Sequence, residues 1–164
     1  MAQTHDVKII RYGTFEGHQQ TDQPLTASET VYRGTVAATR SGYIKNMATP
    51  QSTDVVWGLI DGAVAFKDTG AGITNPNTTN GGVSIDIQTG SFVLFAGTSG
   101  DALAQSDVGS AVYLIDEVTV GKTNGSATRP VAGTLLNTPT GDPSIPTGMV
   151  AVKVGSAPPG TGSP

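Results

Sequence analysis

The amino-acid sequence predicts an all-β protein: a β-rich body over residues 30–155, an extended N-terminal arm (1–29) and a Pro- and Gly-rich tail (156–164). Three observations lead there. Short runs of β-branched and apolar residues are separated by Gly, Asn, Asp and Pro clusters, the mark of strands joined by tight turns. Helical periodicity is absent throughout. Gly and Pro together make up about a fifth of the chain, with 22 and 10 residues, against about 12% on average, and this excess supplies the turns.

Taken in order, Val7, Ile9, Ile10 and Tyr12 form one apolar patch in a polar N-terminal stretch, with Phe15 as an isolated anchor. So few apolar side chains cannot offset the ordering entropy of the segment unless they dock on something. The body is therefore expected to fold without the arm. Ile9, Ile10, Tyr12 and Phe15 are then left to bury against a neighbouring subunit, with Lys8 and Arg11 near acidic groups. Val31–Ala37 begins a strand that resumes at Tyr43–Lys45 after an Arg40-Ser41-Gly42 turn. Val55–Ile60 and Ala63–Phe66 flank Asp61-Gly62, a dipeptide suited to a two-residue hairpin turn. Residues 67–82 are almost all turn formers and predict a long surface loop. Val83, Ile85 and Ile87 alternate with Ser84, Asp86 and Gln88, which predicts a strand with one buried face. Gly90 interrupts, and Ser91–Ala96 returns as the next strand. Ala102–Val108 is the one helical turn, with Asp101 placed to cap it. Four strands close the body, at Val112–Ile115, Val118–Val120, Val131–Leu136 and Met149–Val154.

Composition excludes several chemistries. The chain has no cysteine, hence no disulfide framework, thiolate zinc site or thiol nucleophile. A net charge of −4 argues against nucleic acid as a partner. No apolar run approaches the ~20 residues of a membrane helix, and the N-terminus lacks the pattern of a secretory signal, which points to synthesis in a cytoplasm. His5 and His18 lie in the polar arm without an orienting partner. Gly121-Lys122-Thr123 lacks the upstream Gly and following helix of a phosphate loop. Asp116 and Glu117 are adjacent, so on a strand they point to opposite faces. Asp61 and Asp68 lack the ligand spacing of a calcium loop, and Trp57 inside VVWGLI reads as core. No catalytic, cofactor or metal residues are assigned, and the chain is read as a non-enzyme. Charged residues are only 13%, where about 25% is usual, which fits large contacts with other subunits. Their distribution is uneven. Arg33, Arg40 and Lys45 form a basic strip with no acid between Thr30 and Met47, whereas eight acids face Lys67 alone between Ala48 and Gly121. Such a strip suits docking onto an acidic neighbour or another copy of the chain.

Several segments resemble the capsid decoration, or cement, proteins of tailed bacteriophages. They are TVYRGTVAAT (30–39), VVWGLIDG (55–62), DVGSAVYLIDEVT (107–119) followed by ATRPVAGTL (127–135), and Met149–Val154. The shared pattern is a Val-Tyr strand entering an acidic turn, here Val112-Tyr113 and Asp116-Glu117, then Val131-Ala132-Gly133 and a closing hydrophobic strand. The resemblance implies a compact β-barrel or β-tulip body that binds the outer capsid surface and stabilises the lattice of the major capsid protein. It also implies oligomers, expected here as a homotrimer or a dimer, and an arm lying over the lattice. Ile9, Ile10, Arg11, Tyr12, Phe15, Arg33, Arg40 and Lys45 are the contact residues this reading names. The alternative is a tail-associated or receptor-binding, carbohydrate-binding β-domain.

Overall fold

The computed structural model describes residues 2–13, 19–62 and 70–155, with the backbone alone for 19–22. The fold is all-β, as predicted, and its only helical pieces among these residues are two single 3-10 turns. Among the described residues seven strands lie in the N-terminal half: β1 (Gln19–Pro24), β2 (Thr30–Val31), β3 (Val36–Arg40), β4 (Tyr43–Lys45), β5 (Val55–Gly62), β6 (Ile73–Thr74) and β7 (Ser84–Gln88). Five of them form a sheet in the order β1-β7-β5-β3-β4, and β2 pairs with β6 as a separate ribbon. The C-terminal half is a closed barrel of β8 (Gly90–Ala96), β9 (Ala111–Leu114), β10 (Thr119–Gly121), β11 (Val131–Asn137) and β12 (Met149–Val154), in the order β10-β8-β12-β11-β9.

The sheet is itself nearly closed, because Leu25 bridges to Ile44 and the Thr26 amide donates to the Ile44 carbonyl at 3.0 Å. Each half has its own core. Phe92, Leu94, Val112, Leu114, Val120, Leu135, Val150 and Val152 fill the barrel, while Leu25, Ile44, Ile60, Ile73, Ile85 and Ile87 fill the space inside the sheet. Strands β3 and β5 are the shared wall. Val36 and Ala38 face the barrel core and Ala37 faces the other. A strand buried on both faces requires small side chains where two cores press on it. In β5 the pairing slips between Ala37–Gly58 and Ala38–Val56, leaving Trp57 as the extra residue of a bulge. The bulge places Val56 and Leu59, three apart, on the same core. Ser41 and Gly42 turn the β3–β4 hairpin with φ of 54° and 86°, as a two-residue turn with two left-handed positions demands.

The alternation at Val83, Ile85 and Ile87 is realised: all three are buried and Ser84, Asp86 and Gln88 are half-buried. Other expectations change. The first strand of the body is split at residues 32–35, where Gly34 turns with φ of +83°. The turn expected at Asp61-Gly62 is absent, since β5 runs on until Gly62 pairs with Asp86 across a second bulge; its expected partner 63–66 lies outside the described residues. The loop expected over 67–82 is described from residue 70, and it contains β6 and the fully buried Asn75. Asn75 donates to the carbonyls of Leu25, Thr26 and Thr79 at 3.1–3.2 Å, so the segment is tied to the core by polar bonds.

Asp101 ends the first 3-10 turn, Ser99–Asp101, rather than capping a helix. Asp107 bonds back to the Ala104 amide at 2.9 Å in the second. Asp116 and Glu117 sit in the β9–β10 turn, both buried, rather than on opposite faces of a strand. The Asp116 carboxylate accepts the Val118 amide at 3.0 Å, and the Glu117 carbonyl accepts the Val36 amide at 2.7 Å.

The segment read as a free arm is in large part bound to its own body. Gln19–Pro24 is β1, paired with β7, and Leu25 is fully buried. Backbone bonding, and not apolar burial, joins this polar stretch to the sheet, and an edge strand tolerates Pro24. Residues 2–13 run as a strap over the barrel. The Gln3 amide donates to the Glu117 carboxylate, and the Val7 amide to the Arg33 carbonyl at 2.7 Å. Ile10 and Tyr12 bond the Val93 amide and the Ser91 carbonyl at 2.8 and 3.0 Å. Strand β10 reaches only Phe95 and Ala96 of β8, so the strap completes that edge at its other end. Ile9 packs on the barrel core, and Ile10 and Tyr12 pack on Val93, Ile145 and Ala151.

Candidate docking groove

The strap creates the site. Crossing from Gly34 towards β8, it leaves an open groove of about 510 Å³ between itself and the sheet, lined by Lys8, Ile9, Ile10, Arg11, Arg33 and Gln88. Among the described residues the lining holds three cationic side chains and two isoleucines and no carboxylate. Arg11 lies across the mouth, with its guanidinium donating to the Gln88 amide oxygen and standing 5.9 Å from the centre of the Phe92 ring. Arg33 reaches Asp61 at 3.4 Å, with 44% of the Arg33 side chain and 18% of the Asp61 side chain exposed. Arg33 is brought here by the strap itself: its amide donates to the Asp6 carboxylate at 2.9 Å, beside the Val7 bond. Gly34 makes the approach possible, since a Cβ there would stand 1.9 Å from the Val7 carbonyl oxygen.

A second hollow of about 330 Å³ adjoins the groove and shares Ile10 and Arg11 with it, adding Tyr12, Gly13, Val93, Asp142 and the 144–146 turn. The Tyr12 hydroxyl donates to Asp142 at 3.1 Å and accepts from the Asn137 amide nitrogen at 3.1 Å. Asp142 is held below the usual carboxylate range, chiefly by the Ser144 hydroxyl and amide.

Of the contact residues named from the sequence, Ile9, Ile10, Arg11 and Arg33 meet in one groove, and Tyr12 stands in the adjoining hollow. Phe15 lies outside the described residues, as do His18, Lys67 and Asp68. Arg40 and Lys45 do not join them. Arg40 binds Asp54 through two bonds of 2.7 and 2.8 Å, and the Asp54 side chain is fully buried. The hydrogen bond to Asp54 raises the Arg40 pKa further. Lys45 binds Glu29 at 2.7 Å. The basic strip is thus divided into internal ion pairs, because its acidic partners come from just outside the window in which it stands alone. Sequence reasoning placed Lys8 near acidic groups without naming it a contact, and it missed Gln88, whose only signal is a polar place in an alternating strand.

The remaining polar candidates serve the fold. Lys122 pairs with Asp107 at 2.9 Å. Asp101 accepts from the Thr123 hydroxyl at 2.6 Å and from Arg129 at 2.9 Å, and these bonds, Thr123 first, pull its pKa down. The Trp57 indole donates to the Thr39 hydroxyl at 3.0 Å while its ring packs on the second core. His5 is exposed. Among the described residues no three His, Cys, Asp or Glu side chains come together as a metal site would need, and no helix is long and apolar enough to cross a membrane.

Comparison with known protein families, characterised proteins and solved structures finds no match.

Proposed function

We propose that the chain is a structural virion protein that docks on the outer surface of a phage capsid and stabilises the lattice of its major capsid protein. The observation that carries this reading is the convergence of Lys8, Ile9, Ile10, Arg11 and Arg33 on one exposed groove of a chain whose net charge is −4. The segmental resemblance over residues 30–154 to decoration proteins supports it, as does a barrel-and-sheet body whose strand edges are largely taken up internally. A surface of few charges and many small residues suits broad, shape-driven contact with other subunits. The mechanism is mass action: a protein that binds the assembled lattice and not its dissociated parts lowers the free energy of the lattice. Copies of the chain are proposed to associate as a trimer on that surface, which light scattering of the purified protein tests directly.

Sedimentation with capsids of the source phage tests the docking itself. The protein should pellet with assembled capsids and stay in solution with dissociated capsid protein. Equal recovery in the supernatant with and without capsids would rule the reading out.

A further inference from the structure

We infer that Asn124 is a self-modification site, which cyclises onto the Gly125 amide nitrogen and opens to aspartate and isoaspartate, whereas the fold protects the same dipeptide at Asn80. The inference is independent of the docking reading. The chain holds two Asn-Gly dipeptides, at 80–81 and 124–125. Glycine, with no Cβ, leaves the nitrogen that must attack least hindered. Both asparagines are exposed, and both carry a polarised side-chain amide. The Asn80 side-chain oxygen accepts the Ala27 amide at 2.9 Å, and that of Asn124 accepts the Ala127 amide at 3.2 Å. A donor so placed draws electron density from Cγ and holds the oxyanion that forms on attack.

The attacking nitrogens differ. The Gly81 amide donates to the carbonyl of Leu25 at 2.9 Å, and Leu25 is fully buried. The Gly125 amide donates to no described group. An amide nitrogen must lose its proton before it attacks, and one held in a hydrogen bond gives its proton up only when that bond opens. Gly125 meets this condition in the folded protein and Gly81 does not.

The Gly125 nitrogen loses its proton to solvent base and bonds to Asn124 Cγ, the side-chain nitrogen leaves as ammonia, and a succinimide closes. Water then adds to either ring carbonyl and breaks its bond to the ring nitrogen. The product at position 124 is aspartate or isoaspartate, with one added negative charge. The isoaspartyl link lengthens the backbone by one methylene. This turn has little room for it, because the Asn124 carbonyl accepts the Thr128 and Arg129 amides, both at 3.1 Å. Ser126 and Ala127 already stand at φ of 58° and 66°, where Cβ crowds the carbonyl oxygen. Modification therefore loosens the turn that presents Arg129 to Asp101 at 2.9 Å.

The test incubates the full-length protein in mildly alkaline buffer and follows both sites by peptide mapping with mass spectrometry. Asn124 should convert about tenfold faster than Asn80 or more, since only the Gly81 amide has a bond to open first. In urea, where both amides meet solvent, the two rates should come together. Asn124→Gln, whose longer side chain would have to close a larger ring, should abolish the isoaspartate at that position. Conversion of Asn80 as fast as that of Asn124 in the folded protein overturns the inference. So does a ratio of rates unchanged by urea, because the fold would then not select the site. An Asn124 that stays intact while a synthetic peptide of residues 121–130 converts fully overturns it as well.

Discussion

Gly34→Ala is the perturbation that asks whether residues 2–13 belong to the body. A Cβ at position 34 would stand 1.9 Å from the Val7 carbonyl oxygen and 2.7 Å from its carbon. Backbone atoms cannot yield as a flexible side chain would, so the strap has to lift. Lifting breaks the Val7–Arg33 backbone bond of 2.7 Å and the Arg33–Asp6 bond of 2.9 Å, each worth about 0.5–1.5 kcal/mol. Holding alanine at a φ of +83° costs a further ~1–2 kcal/mol, since Cβ crowds the carbonyl in the left-handed region. The substitution should therefore destabilise the protein by about 2–5 kcal/mol. Urea unfolding followed by the fluorescence of Trp57, the one tryptophan in the chain, measures it. The same substitution in a protein lacking residues 2–8 should cost only the conformational part, about 1–2 kcal/mol, because there is no strap to evict. The difference between the two backgrounds is the coupling of strap to body. An equal cost in both would refute the seating of the strap over Gly34.

Ile85 is fully buried in the second core, so Ile85→Ala should cost about 2–5 kcal/mol in chemical denaturation; a loss under ~0.5 kcal/mol would show that this face is not packed. Arg40→Ala strands the buried Asp54 carboxylate, which keeps only the Gln51 amide at 2.7 Å among the described bonds, and should cost about 3 kcal/mol. Arg40→Lys should recover only part of that, because an ammonium cannot make the paired bonds; full recovery would refute the role of the fork. Asp101 has a folded pKa below its ordinary value, with the Thr123 hydroxyl and then Arg129 as the causes that lower it. Its stabilisation is complete above the unfolded pKa near pH 4 and is lost as pH falls through the folded value. Asp101→Asn should accordingly lower the urea midpoint at pH 7 by more than it does at acid pH, and a loss that does not shrink as the pH falls would contradict the assignment.

The strands that were legible in the sequence are those whose side chains alternate or whose apolar runs end in turn formers. Val83–Ile87, Ser91–Ala96, Val131–Leu136 and Met149–Val154 all read directly. Residues 19–24, QQTDQP, were illegible because nothing in that run is apolar: the strand exists through backbone bonds to β7, and Leu25 seals it into the core. The strand expected at Val31–Ala37 overlaps β3 only at Val36 and Ala37, and its place as a wall between two cores was illegible, since burial on both faces leaves no period to read. The Asp61-Gly62 turn failed because a two-residue signal yielded to a longer pairing of β5 with β7.

Half of the groove was legible as well. Lys8 to Arg11 are close in sequence, so a contact segment stood out. Arg33 reaches it only through the Val7 and Asp6 bonds, and Arg40 and Lys45 leave it because Asp54 and Glu29 arrive from sequence positions on either side. Pairing of charges over such separations depends on the fold and not on local composition.

Counting copies of the chain in purified virus particles, by quantitative mass spectrometry against isotope-labelled standards, tests the proposed docking most directly. A decoration protein should be present in numbers comparable to the major capsid subunit, and should be lost from particles together with their resistance to heat. A chain absent from the particles, or present in only a handful of copies, would contradict the account.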